Sequence, residues 1–187
     1  TTLCRSVTTA AGGTATITGV GTLTIGVNGS YTFTPALNYH GAVPSATYTL
    51  SDGSLSTTST LAIAITSVND APVGVSDTVT TNEDTSASGN VLSNDTDVDG
   101  DTLSVTQFVW GSSTILAGGT GTLPGVRALR LGVPGGRSFT PALNYHGAVP
   151  SATYTLSDGS LSTTSTLSIA ITSVNDAPVG VSDSVTT

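Results

Sequence analysis

The chain has 187 residues, of which 9% are charged, and its 12 acidic and 4 basic side chains give a net charge of −8. This negative charge excludes nucleic acid and anionic membranes as partners, because both bind basic surfaces. It is compatible with the binding of cations. No apolar run is long enough to span a membrane, so membrane insertion is not expected. The single cysteine, Cys4, allows no intrachain disulfide.

Short strands separated by turn residues are predicted along the chain, and no segment shows helical periodicity. The first hairpin turns at Asn28-Gly29, and a later one turns at Asp158-Gly159, both dipeptides typical of tight β-turns. In the last strand apolar side chains alternate with polar ones, as in a strand with one buried face. The clearest predicted strands are 23–25, 31–33, 102–109, 152–156 and 163–174.

The tyrosines of these segments are expected in the core or at a strand corner rather than on a binding platform: Tyr39, Tyr48, Tyr145 and Tyr154. About seven short strands per repeat, bounded by turn residues, predict a β-sandwich of the immunoglobulin or cadherin type. The fold class is therefore all-β, with tandem Ig-like or cadherin-like β-sandwich repeats.

The second half of the sequence repeats the first. Phe33–Gly41 recurs without change as Phe139–Gly147, an offset of 106 residues. Over residues 33–81 and 139–187 the only differences are Ala62/Ser168 and Thr78/Ser184. This period is too long for a solenoid of small units, so it predicts a string of autonomous domains.

The frame of the repeat follows from its linker. The segment Val68–Val73 recurs as Val174–Val179, and its proline, which follows Asn-Asp-Ala, ends a strand and holds the chain extended. Three parts are therefore predicted. Residues 1–72 are the C-terminal part of one repeat plus a linker, residues 73–176 are a complete repeat, and residues 177–187 begin a further one.

Half of the acidic residues lie in two nearby stretches of the second repeat: Glu83, Asp84, Asp95, Asp97, Asp99 and Asp101. Carboxylates at every second position of an extended chain crowd together, and solvent or a cation relieves their repulsion. Residues 95–100 match the opening of an EF-hand loop, but the twelfth position is Thr106 and no flanking helices are predicted, which rejects an EF-hand. A calcium site and a solvated acidic loop remain the two interpretations.

The linker VNDAPV, the run GNVLSNDTDVDGDTLSV and the segments YTFTPALNY and SATYTLSDGS together resemble the bacterial cadherin-like, VCBS-type tandem repeats of large RTX-type surface adhesins. The resemblance covers nearly the whole chain. It implies an extracellular or cell-surface location and calcium ions that rigidify the joints between repeats. Position by position, it implies metal ligands at the joint between the two repeats: Asn69, Asp70, Glu83, Asp84, Asp95, Asp97, Asp99 and Asp101. Asn175 and Asp176 would serve the next joint.

No catalytic constellation stands out. His40 and His146 occupy the same repeat position beside a turn glycine, and no nucleophile and acid are singled out with them. We therefore expect no enzyme, but a structural extender of a surface adhesin that supports cell adhesion or biofilm formation, with neighbouring repeats as its partners.

Two other functions remain open on the sequence. One is direct binding of host or matrix glycans or of another copy, with aromatic residues such as Trp110 in contact with the ligand. The other is a filament assembled by strand exchange. Residues 177–187 copy residues 71–81, and they could add a strand to an open edge of residues 1–70.

Overall fold

The computed structural model describes residues 8–185, so Cys4 lies outside the described part of the chain. Residues 8–185 contain strands and turns but no helix, and hence no helix that could cross a membrane. The strands are β1 (Thr14–Ile17), β2 (Gly21–Ile25), β3 (Tyr31–Pro35), β4 (Gly41–Ala42), β5 (Ala46–Ser51), β6 (Ser56–Leu61), β7 (Ala64–Ile65), β8 (Asp77–Asn82), β9 (Ala87–Asn90), β10 (Ser104–Trp110), β11 (Ser113–Leu116), β12 (Thr120–Leu123), β13 (Arg127–Leu131), β14 (Gly136–Pro141), β15 (Ala152–Ser157) and β16 (Ser162–Thr172).

The chain divides into two compact units, of which one ends at Val68 and the other begins at Asn69. The linker that the sequence analysis grouped with the first part thus belongs to the second unit. Its proline, Pro72, is buried, and Val73 exchanges two backbone hydrogen bonds with Thr96, at 2.8 and 3.0 Å. Residues 177–185 form no strand and are exposed.

The second unit is a sandwich of two sheets, which confirms the predicted fold class. One sheet has the order β11-β10-β15-β16-β8, and the other has the order β12-β13-β14-β9. Every pair is antiparallel except β16 and β8, which run parallel from Leu167 opposite Asp77 to Thr172 opposite Asn82. The first and last strands of the repeat therefore lie side by side.

The core of the second unit is built from the inward faces of both sheets. Alternation along β10 and β15 buries Phe108, Trp110, Tyr154 and Leu156, as a period of two requires. The Trp110 ring meets Phe139 of the other sheet edge-to-face, with centroids 6.2 Å apart. Its indole N–H donates to the carbonyl oxygen of Pro150 at 2.8 Å. Trp110 is therefore a core residue, and it is not part of an exposed glycan-binding surface.

In the first unit, residues 8–68 form three small sheets, β1-β2-β3, β5-β6 and β4-β7. Its residues 8–68 correspond to residues 114–174 of the second unit, and they hold no counterpart of β8, β9 or β10. Residues 8–68 bury fewer side chains than their counterparts in the second unit. Leu50 is 49% exposed, although its counterpart Leu156 is fully buried, and Leu23 is the one buried hydrophobic residue among residues 8–68.

One tyrosine in each unit forms the same corner contact. The Tyr39 hydroxyl donates to the carbonyl oxygen of Ala42, and the Tyr145 hydroxyl donates to that of Ala148, each over 2.7 Å. The prediction of core or corner tyrosines agrees with these contacts and with the full burial of Tyr154, whereas Tyr48 is half-buried.

Candidate functional site

The acidic loop between β9 and β10, residues 93–101, is folded around the carboxylate of Asp97. Its Oδ1 atom accepts the backbone N–H groups of Asp99 at 3.0 Å and Asp101 at 3.1 Å. Gly100, at a φ of 82°, permits the turn. The second oxygen, Oδ2, is buried and has no hydrogen-bond partner within residues 8–185. A buried carboxylate oxygen without a donor is costly, which makes it the point of the loop that best suits a cation.

The linker is tied to this end of the sandwich by two carboxylates. The backbone N–H of Asp70 donates to Oδ2 of Asp99 at 2.7 Å, and the side-chain amide of Asn69 donates to Oδ2 of Asp158 at 2.8 Å. The Asn69 amide is the main reason that the pKa of Asp158 is lowered, followed by the backbone N–H groups of the hairpin turn. The path of the linker is thus held by charged acceptors.

Asp158, which the sequence predicts only as a turn residue, also contacts the linker. Its Oδ1 atom does cap the hairpin, because it accepts the N–H groups of Ser160 and Leu161 at 2.6 and 2.7 Å. Its other oxygen binds Asn69, 89 residues away. No local signal distinguishes it from Asp52, which stands in the same sequence and caps the same turn in the first unit.

Asp95 points into the end of the core rather than towards the other loop carboxylates. Its Oδ1 accepts the N–H of Val75 at 2.7 Å, and its Oδ2 lies 3.2 Å from the Tyr154 hydroxyl. That hydroxyl also lies 2.9 Å from Oδ2 of Asp77 and 3.0 Å from the carbonyl oxygen of Val91. The single proton of the Tyr154 hydroxyl therefore faces several acceptors. The pKa of Asp77 is raised, chiefly because its carboxyl group is buried.

Glu83 and Asp84 lie at the opposite end of the sandwich. Glu83 is only 4% exposed, and its Oε1 accepts the backbone N–H of Val174 at 2.5 Å and the Ser173 hydroxyl at 3.2 Å. Its Oε2 lies 3.2 Å from Nδ1 of His146. These donors, with the Val174 N–H first, lower the pKa of Glu83. Asp84 has a simpler environment, in which Oδ1 accepts the N–H of Asn144 at 2.8 Å.

The placement of Glu83 and Asp84 corrects the sequence analysis, which grouped them with the acidic loop. Strand β8 separates the two clusters, because Asp77 pairs with Leu167 at one end and Asn82 pairs with Thr172 at the other. Glu83 therefore adjoins the chain exit at residues 172–174. The predicted ligands of the next joint, Asn175 and Asp176, follow directly and are exposed.

The predicted ligands thus fall into two groups. At the entry end are Asn69, Asp70, Asp95, Asp97, Asp99 and Asp101, and at the exit end are Glu83, Asp84, Asn175 and Asp176. Asn175 donates to the carbonyl oxygen of Asp176 at 3.2 Å, as Asn69 does to that of Asp70, so both linkers begin with the same local contact. Among residues 8–185 no three acidic, histidine or cysteine side chains are arranged as a ready-made metal site.

Comparisons with known proteins bear on both units. A family described as bacterial cadherin-like domain matches residues 69–173, and one described as cadherin-like domain matches residues 2–66. The first match covers more than half of the chain and begins where the second compact unit begins. Both confirm the resemblance to bacterial cadherin-like repeats. No curated protein matches the chain.

Solved structures with similar backbones include endo-fucoidan hydrolases of glycoside hydrolase family 107. MfFcnA4 is 17% identical with a TM-score of 0.36 over 86% of this chain, and MfFcnA9 is 18% identical with a TM-score of 0.33 over 83% of it. The chain spans about a quarter of the length of these enzymes, since the matches cover 23% and 26% of theirs. At these TM-scores the similarity carries no argument about function.

Proposed function

Because the chain belongs to the bacterial cadherin-like domain family, we propose that it is a non-enzymatic extender repeat of a bacterial cell-surface or secreted adhesin. Calcium would stiffen the joint between successive repeats. The observation that carries this proposal is the attachment of the linker to the acidic loop, through the 2.7 Å hydrogen bond from the Asp70 N–H to Asp99. A joint whose linker already lies on an acidic loop is one that a cation could stiffen.

The acidic loop offers oxygen donors of the kind that calcium prefers. Asp97 would contribute its buried, unpartnered Oδ2 atom, and Asp99 and Asp101 stand beside it in the loop. The linker residues Asn69 and Asp70 would complete the donor set from the preceding segment. Calcium would supply positive charge that offsets the repulsion among these carboxylates, and it would favour the linker path that they hold.

The repeat itself supports the role of an extender. Residues 33–81 and 139–187 are nearly identical, as is expected when the number of repeats, and hence length, is the selected property. A row of such domains would carry a distal binding domain away from the cell, in support of adhesion or biofilm formation. The net negative charge of the chain is compatible with an extracellular protein that is exposed to millimolar calcium.

Calcium binding is tested by the melting temperature of the full chain in EGTA and in about 10 mM calcium. With a dissociation constant of about 0.1 mM, typical of weak extracellular sites, calcium adds about 2.7 kcal/mol to the stability of the second unit. For a unit of this size the melting temperature rises by roughly 10 °C. Asp97→Asn should abolish the rise, whereas the control Asp52→Asn, which removes the same charge from a turn of the first unit, should keep it. An unchanged melting temperature in the wild type, or an equal rise in Asp97→Asn, would contradict a calcium site on the acidic loop.

The stiffening itself needs a separate measurement. Small-angle X-ray scattering of the full chain should show a longer and narrower distribution of interatomic distances in calcium than in EGTA. The Asp97→Asn variant should give the EGTA profile in both conditions. A profile that indicates freely jointed domains in calcium would rule out the stiffening, even if calcium raises the melting temperature.

A further inference from the structure

Positive charge in the described part of the chain is confined to one stretch of the second unit. Residues 102–157 contain no aspartate or glutamate, although the whole chain carries 12 acidic residues. The same stretch holds Arg127, Arg130 and Arg137, which are the three arginines of residues 8–185. A protein with a net charge of −8 therefore carries one segment in which positive charge is in excess.

These arginines lie on β13 and β14, the two central strands of the four-stranded sheet β12-β13-β14-β9. Leu129 is buried in the core, so alternation along β13 directs Arg130 outwards. Arg130 pairs across the sheet with Thr120 on β12 and Ser138 on β14, and Ser138 pairs with Ser88 on β9. All four side chains are exposed, and none of the four strands contains an acidic residue. The outer face of this sheet therefore presents a guanidinium group among hydroxyl groups.

The side chain of Arg130 is anchored but retains donors for a ligand. Its Nε atom donates to the carbonyl oxygen of Gly118 at 3.0 Å, whereas among the described residues its two terminal amino groups have no hydrogen-bond partner. Within residues 8–185 no ion pair joins any of the three arginines to a carboxylate. Arg130 adjoins a shallow groove of about 520 Å³, which Pro134 and Ser138 also line. Unpaired guanidinium donors beside a groove are well placed to bind an anionic group.

Arg127 stands where the backbone favours glycine. Its φ is 114°, and its counterpart in the first unit is Gly21, where an added Cβ atom would lie 2.4 Å from the carbonyl oxygen of Thr34. Arg127 is exposed and adjoins a second shallow groove, of about 490 Å³, which Thr122 and Ala128 of the outer face also line. Strain at an exposed side chain that makes no stabilising contact within the described residues points to function rather than to stability.

Arg137 is bound more firmly into the sheet than the other two arginines. One of its terminal amino groups donates to the carbonyl oxygen of Asn90 at 3.2 Å. Its guanidinium group also lies against the backbone of β9, because a Cβ atom added to Gly89 would be 2.7 Å from Cζ of Arg137. Arg137 therefore adds positive charge to the sheet, while Arg127 and Arg130 are the arginines available to a ligand.

The spacing of these two arginines and the groups around them indicate the kind of ligand. Arg127 and Arg130 are three residues apart in β13, or about 10 Å along a strand, so a polymer with negative groups at intervals can contact both. The hydroxyl groups of the outer face can exchange hydrogen bonds with the hydroxyl groups of sugars. Nucleic acid fits less well, because the aromatic residue of this sheet, Phe139, is buried and leaves no ring on which bases could stack.

We propose that the outer face of the sheet β12-β13-β14-β9 binds an acidic polysaccharide, whose carboxylate or sulfate groups pair with Arg127 and Arg130. The first unit has Gly21 and Thr24 at the corresponding positions, so this site belongs to the second repeat alone. Two repeats that are nearly identical over residues 33–81 and 139–187 thus differ in ligand binding. The site goes beyond the extender role and does not rest on it.

The primary test is isothermal titration calorimetry of the full chain in EGTA, so that calcium cannot bridge acidic groups. The salt concentration is about 50 mM, at which surface charges are weakly screened. Dextran sulfate and polygalacturonate are the charged probes, and unmodified dextran is the uncharged control. At least one charged polymer should bind, with an affinity that falls as salt is added, and the comparison of the two identifies the anionic group. Absence of binding by both, or equally tight binding of dextran or duplex DNA, would overturn the proposal.

Arginine variants locate the site on the sheet. Arg130→Gln should weaken binding about tenfold, as expected for the loss of a hydrogen bond between charged groups. The matched control Arg5→Gln removes the same charge from outside residues 102–157 and should bind like the wild type. An unchanged affinity in Arg130→Gln, or an equal loss in Arg5→Gln, would contradict the assignment.

Arg127→Gly separates binding from folding. This change introduces the residue that the first unit has at the same position, and it removes the backbone strain at a φ of 114°. The variant should therefore melt no lower than the wild type, and yet it should bind the charged polymer several times more weakly. A variant that keeps the full affinity would show that Arg127 is not part of the site.

Discussion

The Glu83 carboxylate accepts the backbone N–H of Val174 over 2.5 Å, which joins the end of β8 to the point where the chain leaves the sandwich. Glu83 is 4% exposed and also contacts Ser173 and His146. The exit from the repeat is therefore held by one buried acid, as its entry is held by Asp99 and Asp158.

We expect Glu83 to contribute to the stability of the folded protein in a way that depends on pH. Its pKa is lowered below the usual 4.5, chiefly by the Val174 N–H, so its contribution is complete above that value. The contribution is lost as the pH falls through the lowered pKa. Glu83→Gln should melt several degrees lower than the wild type at pH 7, and the gap should close in strong acid. The control is Asp84→Asn, whose carboxylate accepts a single backbone N–H, and equal melting of Glu83→Gln and wild type at pH 7 would contradict the prediction.

The contribution of Asp77 to stability should have the opposite dependence on pH. Burial raises its pKa above 3.8, and this effect outweighs the Tyr154 hydrogen bond and the attraction of Arg137. The folded protein thus holds this proton more firmly than the unfolded chain, so stability from this group falls as the pH rises from 3.8 through the raised pKa.

Asp77→Asn, which is neutral at every pH and still accepts from Tyr154, should therefore melt a few degrees higher than the wild type at pH 7. The gain should vanish well below pH 3.8, where Asp77 is protonated in both the folded and the unfolded wild type. Thermal melts at several pH values measure this difference. A lower melting temperature at pH 7 would mean that the attraction of Arg137 outweighs the cost of burial.

We expect Trp110 to stabilise the fold and to have no role in ligand binding. Trp110→Phe leaves the carbonyl oxygen of Pro150 without its 2.8 Å donor, at a cost of about 1–3 kcal/mol in the free energy of unfolding. Urea denaturation measures this loss. The control is Tyr31→Phe, because Tyr31 is 60% exposed and should change little. A glycan that binds the wild type and not a folded Trp110→Phe variant would contradict a purely structural role.

The two repeats offer a matched pair of leucines that compares their packing. Leu156→Ala should cost about 2–5 kcal/mol, because the side chain is fully buried between the sheets. Leu50→Ala should cost well under half as much, since the Leu50 side chain is 49% exposed. Hydrogen exchange by mass spectrometry reports each unit separately. Equal losses would show that the first unit buries Leu50 as completely as the second buries Leu156.

Local structure was predictable because short-range signals decide it. The turns at Asn28-Gly29 and Asp158-Gly159 are specified by residues that favour tight hairpins, and both occur between the predicted strands. The last strand, predicted over 163–174, is observed at Ser162–Thr172 because alternation of apolar residues sets its buried face.

The arrangement of the acidic residues was not predictable in the same way. Glu83 and Asp95 are close in sequence, yet β8 carries Glu83 to the far end of the sandwich before the chain returns to the acidic loop. The second role of Asp158 depends on a contact 89 residues distant, whereas Asp52 has the same neighbours in sequence. Such contacts follow from topology, which no local pattern encodes.

The parallel pairing of β8 with β16 determines how the repeat would respond to tension along the chain. A pull on the entry linker draws β8 from its Asp77 end, and a pull on the exit draws β16 from its Thr172 end. The two strands are then drawn past each other lengthwise, so their hydrogen bonds from Asp77–Leu167 to Asn82–Thr172 share the load and must rupture together. In an antiparallel pair pulled from adjacent ends, the bonds would open one after another. The repeat is thus built to resist mechanical force applied along the chain.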